Sequence, residues 1–137
     1  MVIGLDVHRS FAEVAILENG AIKHAGRLKL EHQRVVAFGK ALKRSDEVVL
    51  EATGNTGVIV RLLMPFVRRV VFANPLQVRS IVWARVKTDK IDAALLAKLH
   101  ASGFLPPCWS RRHGQSRPNP GRYEHFSPAS SSAAASR

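Results

Sequence analysis

Four carboxylates of this chain fall where divalent cations could be shared between them: Asp6, Glu51, Asp89 and Asp92. Asp6 lies inside the opening apolar segment Met1-Val-Ile-Gly-Leu-Asp-Val7, and Glu51 closes a second apolar run, Glu47-Val-Val-Leu-Glu51. Asp89 and Asp92 stand three residues apart in Lys87-Thr-Asp-Lys-Ile-Asp92. Phosphodiester transfer assisted by two metals needs such a set, because two ions about 3.5–4 Å apart clamp the attacking and leaving oxygens. Mg²⁺ takes hard oxygen ligands, usually one or two carboxylates with water and phosphate. Without cations, four converging carboxylates would repel one another and retain at least one proton between them. Each acid also has a plain structural use. Asp6 can be a hydrogen-bonded strand acid, although that is costly in an apolar run unless it is partnered. Glu51 can simply end a strand, Asp89 can cap a helix, and Asp92 can sit in a first turn favoured by the helix dipole. Against these uses stands the composition: ten Asp and Glu in all, against 21 Lys and Arg. An acidic centre in a basic protein is what cutting or joining a polyanion requires.

Four cations flank the Asp pair: Arg79, Arg85, Lys87 and Lys90. They can grip phosphates or simply solvate a helix face. Trp83 lies among them and can stack a base, pack in the core or meet a partner domain. His8 shares a strand face with Asp6, within reach of substrate or of a metal's water shell, though a lone histidine is more often structural. The other histidines have no ligand spacing, and one cysteine does not build a zinc site. Gly54-Asn-Thr-Gly57 lacks the Gly-Lys-Ser/Thr ending of a phosphate-binding P-loop.

The formal charge of +11 and a pI near 11.1 point to a polyanionic partner. The single cysteine, Cys108, excludes an internal disulfide and fits a reducing, cytoplasmic setting. No window approaches the ~20 apolar residues that span a bilayer, and the N-terminus lacks the pattern of a signal peptide. Composition breaks after Trp109. Every Lys, Ile, Leu, Val and Met precedes that point, and residues 110–137 hold five Arg and seven Ser, with only Tyr123 and Phe126 as large apolar groups. Such a segment buries too little to offset its ordering entropy. The chain therefore divides into a folded domain, 1–109, and a disordered basic tail, 110–137, whose abrupt change of composition suggests a shifted or artificially ended reading frame.

The elements that must position the acids follow from periodicity. Residues 2–7 and 11–17 form a hairpin around His8-Arg-Ser10, and Asn19-Gly20 turns the chain into a third strand, 21–30. Residues 31–44 have helical spacing. Residues 48–50 are wholly apolar, as in a strand buried on both faces. A helix over 58–66, with Thr56 as N-cap, should end or kink at Pro65. Residues 69–73 form another buried strand. Asn74-Pro75 opens a helix to about residue 86, and Thr88 or Asp89 caps a last helix ending near Gly103. If the turn at 89–92 is already helical, Asp89 and Asp92 share one helix face. Glu51 can approach Asp6 across a strand spacing of ~5 Å. The order β-β-β-α-β-α-β-α-α suits an RNase H-like α/β fold with a mixed sheet.

Four stretches carry a specific resemblance: Ile3-Gly-Leu-Asp-Val-His8, Leu50-Glu-Ala-Thr-Gly54, Ala73-Asn-Pro75 and Lys87-Thr-Asp-Lys-Ile-Asp-Ala93. In order, spacing and flanks, residues 1–109 resemble the N-terminal part of the DEDD transposases of the insertion sequence 110 family. The resemblance implies a RuvC-type domain with Asp6, Glu51, Asp89 and Asp92 as its catalytic, metal-binding tetrad. It also implies Mg²⁺ or Mn²⁺, strand exchange on DNA, homo-oligomers and a structured guide (bridge) RNA. Members of that family continue through a coiled coil into a domain bearing a nucleophilic serine. No serine in 110–137 stands in a matching context, so none is assigned that role. The expectation is a C-terminally truncated transposase, incompetent alone for transposition. A non-catalytic nucleic-acid-binding remnant is the alternative. An actin-like phosphotransferase would want glycine two positions after the first Asp, where this chain has His8.

Overall fold

A computed structural model describes residues 1–54, 56–86, 91–105 and 107–112. β1 (Val2–Val7) turns back through residues 8–10 into β2 (Phe11–Glu18), and the His8 amide donates to the Phe11 carbonyl at 2.8 Å to close the turn. β2 returns at Asn19-Gly20 into β3 (Ala21–Lys29). Both turn residues have positive φ, 51° and 77°, which a tight two-residue hairpin demands and which Asn and Gly tolerate best. After α1 (His32–Ala41), β4 (Glu47–Glu51) enters beside β1 and parallel to it. α2 (Thr56–Leu63) leads to β5 (Arg69–Ala73), parallel to β4. α3 (Pro75–Arg85) and α4 (Ala93–Ala101) follow.

A last strand, β6 (Pro107–Arg112), pairs antiparallel with β5 and completes the sheet order β3-β2-β1-β4-β5-β6. Up to α4 the element order is the one expected, and the arrangement is an RNase H-like mixed α/β sheet. β6 is an addition. It straddles the compositional break after Trp109, so residues 110–112 of the segment read as disordered are in a strand. The open edge of β5 offers a row of backbone donors and acceptors that a following segment can pair with whatever its side-chain composition. Residues 113–137 lie outside the described residues.

Alternation along the strands builds two apolar layers. Ile3, Leu5, Val48, Leu50 and Val70 face one way and pack with Val35, Ile59, Val60 and Leu63 of α1 and α2. Val49, Val71 and Ala73 face the other way, onto Val78 and Val82 of α3 and Leu96 and Leu99 of α4. β4 and β5 are therefore covered on both faces, which is why they read as unbroken apolar runs.

Helix ends obey local chemistry with two corrections. α2 stops at Leu63, short of Pro65, as the missing proline N–H and the restriction on the residue before it require. Thr56 is not the cap but the first helical residue; it is buried, and its hydroxyl donates to the Thr53 carbonyl at 2.6 Å. Asn74 caps α3, its Oδ1 accepting from the Leu76 amide at 2.9 Å. The cap of α4 is Asp92 rather than Thr88 or Asp89: its backbone is extended, at φ −119° and ψ 175°, and its Oδ1 accepts from the Leu95 amide at 2.9 Å. Asp92 thus precedes the helix, so the shared helix face expected for Asp89 and Asp92 does not exist at the Asp92 end. Several residues here can cap, and tertiary packing of the alanines that follow selects which one does. Among the described residues no helix is long and apolar enough to cross a membrane.

Candidate metal centre

Parallel register brings the first two acids side by side. Leu5 of β1 is paired with Leu50 of β4, and both are fully buried against α1 and α2. One step further along each strand the side chains swing to the opposite face, so Asp6 and Glu51 emerge together toward α3 and α4 at the ends of adjacent strands. Burial pushes the Glu51 carboxyl above its ordinary value; the Arg79 guanidinium opposes that shift and the Asp6 charge adds to it. Glu51 Oε1 is buried and has no hydrogen-bond partner among the described residues. A buried acceptor left unmade costs about 1–3 kcal/mol, more for a charged group.

α4, which Asp92 caps, lies very close to β1. Gly4 shares the strand face of Asp6, and a Cβ built on it would fall 1.9 Å from the Ala93 carbonyl oxygen and 3.2 Å from the Ala97 amide nitrogen. Glycine on the strand and alanines four apart on the helix let the two backbones meet. The first turn of α4 is thereby seated on β1 two residues from Asp6, with Asp92 next to the contact residue Ala93. One carboxylate oxygen of Asp92 is engaged by the helix amide. Asp89, Lys87 and Lys90 lie outside the described residues.

Two side chains join Asp6 from the hairpin. Glu13 of β2 stands directly opposite it in the antiparallel ladder. His8 Nε2 lies 3.3 Å from Asp6 Oδ2. One ligand atom from each of Asp6, His8 and Glu13 lies within 4.8 Å of the others. His8 was legible as a neighbour of Asp6. Glu13 was missed because a three-residue turn at 8–10 would set residue 6 opposite residue 12; in the observed register Val7 pairs with Ala12 and Asp6 with Glu13.

Of the flanking cations, Arg79 acts electrostatically on Glu51. Arg85 stacks its guanidinium over the Phe104 ring, 4.1 Å from the centroid. Trp83 is not a core residue: it is 69% exposed on α3, with Leu76 at 73%.

The other end of the same strands does different work. Glu47, at the start of β4, receives Arg69 at 2.8 Å and His100 of α4 at 2.6 Å. Burial alone would raise this carboxyl, but those hydrogen bonds and charges outweigh it and hold Glu47 below its ordinary value. Glu47, Arg69 and His100 border an open cavity of about 580 Å³ near Met1 and Glu18. Glu47 therefore pins the C-terminal end of α4 to the sheet, at the end of β4 opposite Glu51.

Residues 3–109 match the family model of the insertion sequence 110 DEDD transposases, described as transposase. No curated protein matches the chain. The matched span runs from β1 through α4 into β6 and includes the strand ends bearing Asp6 and Glu51 and the helix start bearing Asp92. The chain belongs to the DEDD transposase family of insertion sequence 110.

Proposed function

We propose that this domain is the metal-binding catalytic domain of a DNA transposase, with Asp6, Glu51, Asp89 and Asp92 as ligands for Mg²⁺ or Mn²⁺. One observation carries the reading: Asp6 and Glu51 stand together at adjacent strand ends, and Glu51 presents a buried oxygen that has no hydrogen-bond partner among the described residues. The donors are hard carboxylate oxygens, the set that divalent ions of this class prefer. The orphaned oxygen and the like-charged neighbour are both relieved by a cation, so the residues fit the group. When bound, such ions polarise a phosphodiester and activate its attacking oxygen.

The chain's own residues supply position. β1 and β4 hold two carboxylates on a rigid sheet, and Asp92, the N-cap of α4, is the third ligand in this reading. Arg79 lies within electrostatic reach of Glu51 and can hold a phosphate beside the acids. Arg85, Lys87 and Lys90 extend that cationic border, and Trp83 offers a face to an unpaired base. DNA is the substrate that the family suggests. A guide RNA, homo-oligomers and a cytoplasmic setting come with the same reading, as does dependence on a serine-bearing domain for complete strand exchange.

Calorimetric titration with Mn²⁺ tests the site. Wild-type protein is expected to bind with an affinity that falls at least tenfold in Asp6→Asn and in Glu51→Gln. Equal affinity in all three proteins removes the metal centre and leaves a cationic nucleic-acid-binding fold.

A further inference from the structure

The hairpin beside Asp6 carries a nitrogen donor that an all-carboxylate centre does not need. His8 follows β1 directly, and its Nε2 is 3.3 Å from Asp6 Oδ2. Its ring stacks on Phe11 across the turn, with centroids 4.6 Å apart and an interplanar angle of 26°. Phe11 is in turn covered by the Arg27 guanidinium, 4.5 Å from its centroid. The imidazole is thus oriented by packing rather than left free on the surface. Glu13 faces Asp6 across the ladder, and Arg27 holds only its Oε1, at 3.5 Å, the weak limit of a hydrogen bond. The three donor atoms lie within 4.8 Å of one another, so a side-chain adjustment of a few tenths of an ångström lets a single ion with metal–ligand bonds of about 2.0–2.2 Å span them.

We propose that the cation held at Asp6 also takes His8 Nε2 and Glu13, so that this protein's centre is a mixed nitrogen–oxygen site. The inference rests on the reading of Asp6 as a metal ligand. Its consequence is selectivity. Mg²⁺ demands near-ideal octahedral oxygen coordination and dehydrates reluctantly. Imidazole suits transition ions, and Mn²⁺ stands at the boundary because it accepts both carboxylate and imidazole. The site should therefore prefer Mn²⁺ to Mg²⁺ by more than a tetrad of carboxylates would.

The test uses the whole chain loaded with Mn²⁺ and reads the ion directly by electron spin echo spectroscopy, where an imidazole nitrogen bound to the metal modulates the echo. Wild-type protein is expected to show that modulation, and labelling its histidines with heavy nitrogen should change the pattern without touching the fold. His8→Ala should abolish it and weaken Mn²⁺ binding about tenfold or more, with Mg²⁺ binding changed by less than about twofold. Glu13→Gln should weaken Mn²⁺ binding and keep the modulation. The side chains of His8 and Glu13 are each 45% exposed, so both variants should fold, as circular dichroism can verify. Mn²⁺ binding that depends on Asp6 but carries no nitrogen modulation overturns this inference and leaves the Asp6 reading standing. Mn²⁺ binding indifferent to Asp6→Asn overturns both.

Discussion

Replacing Gly4 with alanine should damage the metal centre without touching a ligand. The added methyl would lie 1.9 Å from the Ala93 oxygen and 2.8 Å from the Ala93 carbonyl carbon. Ordinary contact begins near 3.4 Å, and the obstacle is helix backbone rather than a side chain that can swing away. The first turn of α4 must therefore move off β1 by about 1 Å or more, while Glu47 still holds its far end through His100 at 2.6 Å. Overpacking of one methylene in a tight core typically costs 1–3 kcal/mol, and a clash against backbone belongs at the upper end, about 3 kcal/mol. For a domain of roughly this size that lowers Tm by about 10–15 °C. Because Asp92 precedes Ala93, its carboxylate moves with the helix start, and Mn²⁺ affinity should fall about tenfold or more. Thermal unfolding with and without Mn²⁺, beside calorimetric titration at a temperature where the variant is folded, reads both effects. A Gly4→Ala protein with wild-type Tm and wild-type Mn²⁺ affinity would refute the close approach of α4 to β1 and with it the placement of Asp92.

Glu51 carries a pH-dependent cost in the metal-free protein. Its folded value lies above the ordinary 4.5, so between the two values the native state holds more protons than the unfolded chain, and stability falls as pH rises through that window. Glu51→Gln should remove this loss and match or exceed wild-type stability at neutral pH in EDTA, while saturating Mn²⁺ at about 100 times Kd should stabilise only the wild type, by about 2.7 kcal/mol; denaturant melts at several pH values decide it. Glu47 has the opposite sign. Its folded value is depressed, so its contribution is present above 4.5 and lost as pH falls through the lower folded value. Glu47→Gln should cost about 2–3 kcal/mol at neutral pH through lost charge-assisted hydrogen bonds, a difference that should vanish in acid. On α3, Trp83→Ala should weaken single-stranded DNA binding by about 1–3 kcal/mol, and Arg85→Gln should reduce the log–log salt slope on duplex DNA by about 0.9; anisotropy titrations unchanged by either would take the nucleic acid off this face.

Much of the fold was legible because its signals are local. Apolar runs at 48–50 and 69–73 announced strands covered on both faces, Asn19-Gly20 announced its turn through the φ angles it tolerates, and Pro65 set a limit for α2. The positions of Asp6 and Glu51 at strand ends followed from the same runs. That these two acids meet depends on the parallel pairing of β1 with β4, which joins residues some 45 apart in the chain; no local pattern encodes it, and only the family likeness foreshadowed it.

Where several local choices compete, long-range packing arbitrates. Thr88, Asp89 and Asp92 can each cap a helix, and the fit of Ala93 and Ala97 against Gly4 selects Asp92. Trp83 has a composition suited to core or surface, and the turn of α3 that buries Val78 and Val82 leaves it outside. Glu13 becomes a neighbour of Asp6 through strand register. β6 depends on the free edge of β5, a property of the sheet rather than of residues 107–112. Residue type states what a segment is able to do; contacts across the chain choose among those abilities, because each choice is worth only a few kcal/mol and a single tight contact is enough to tip it.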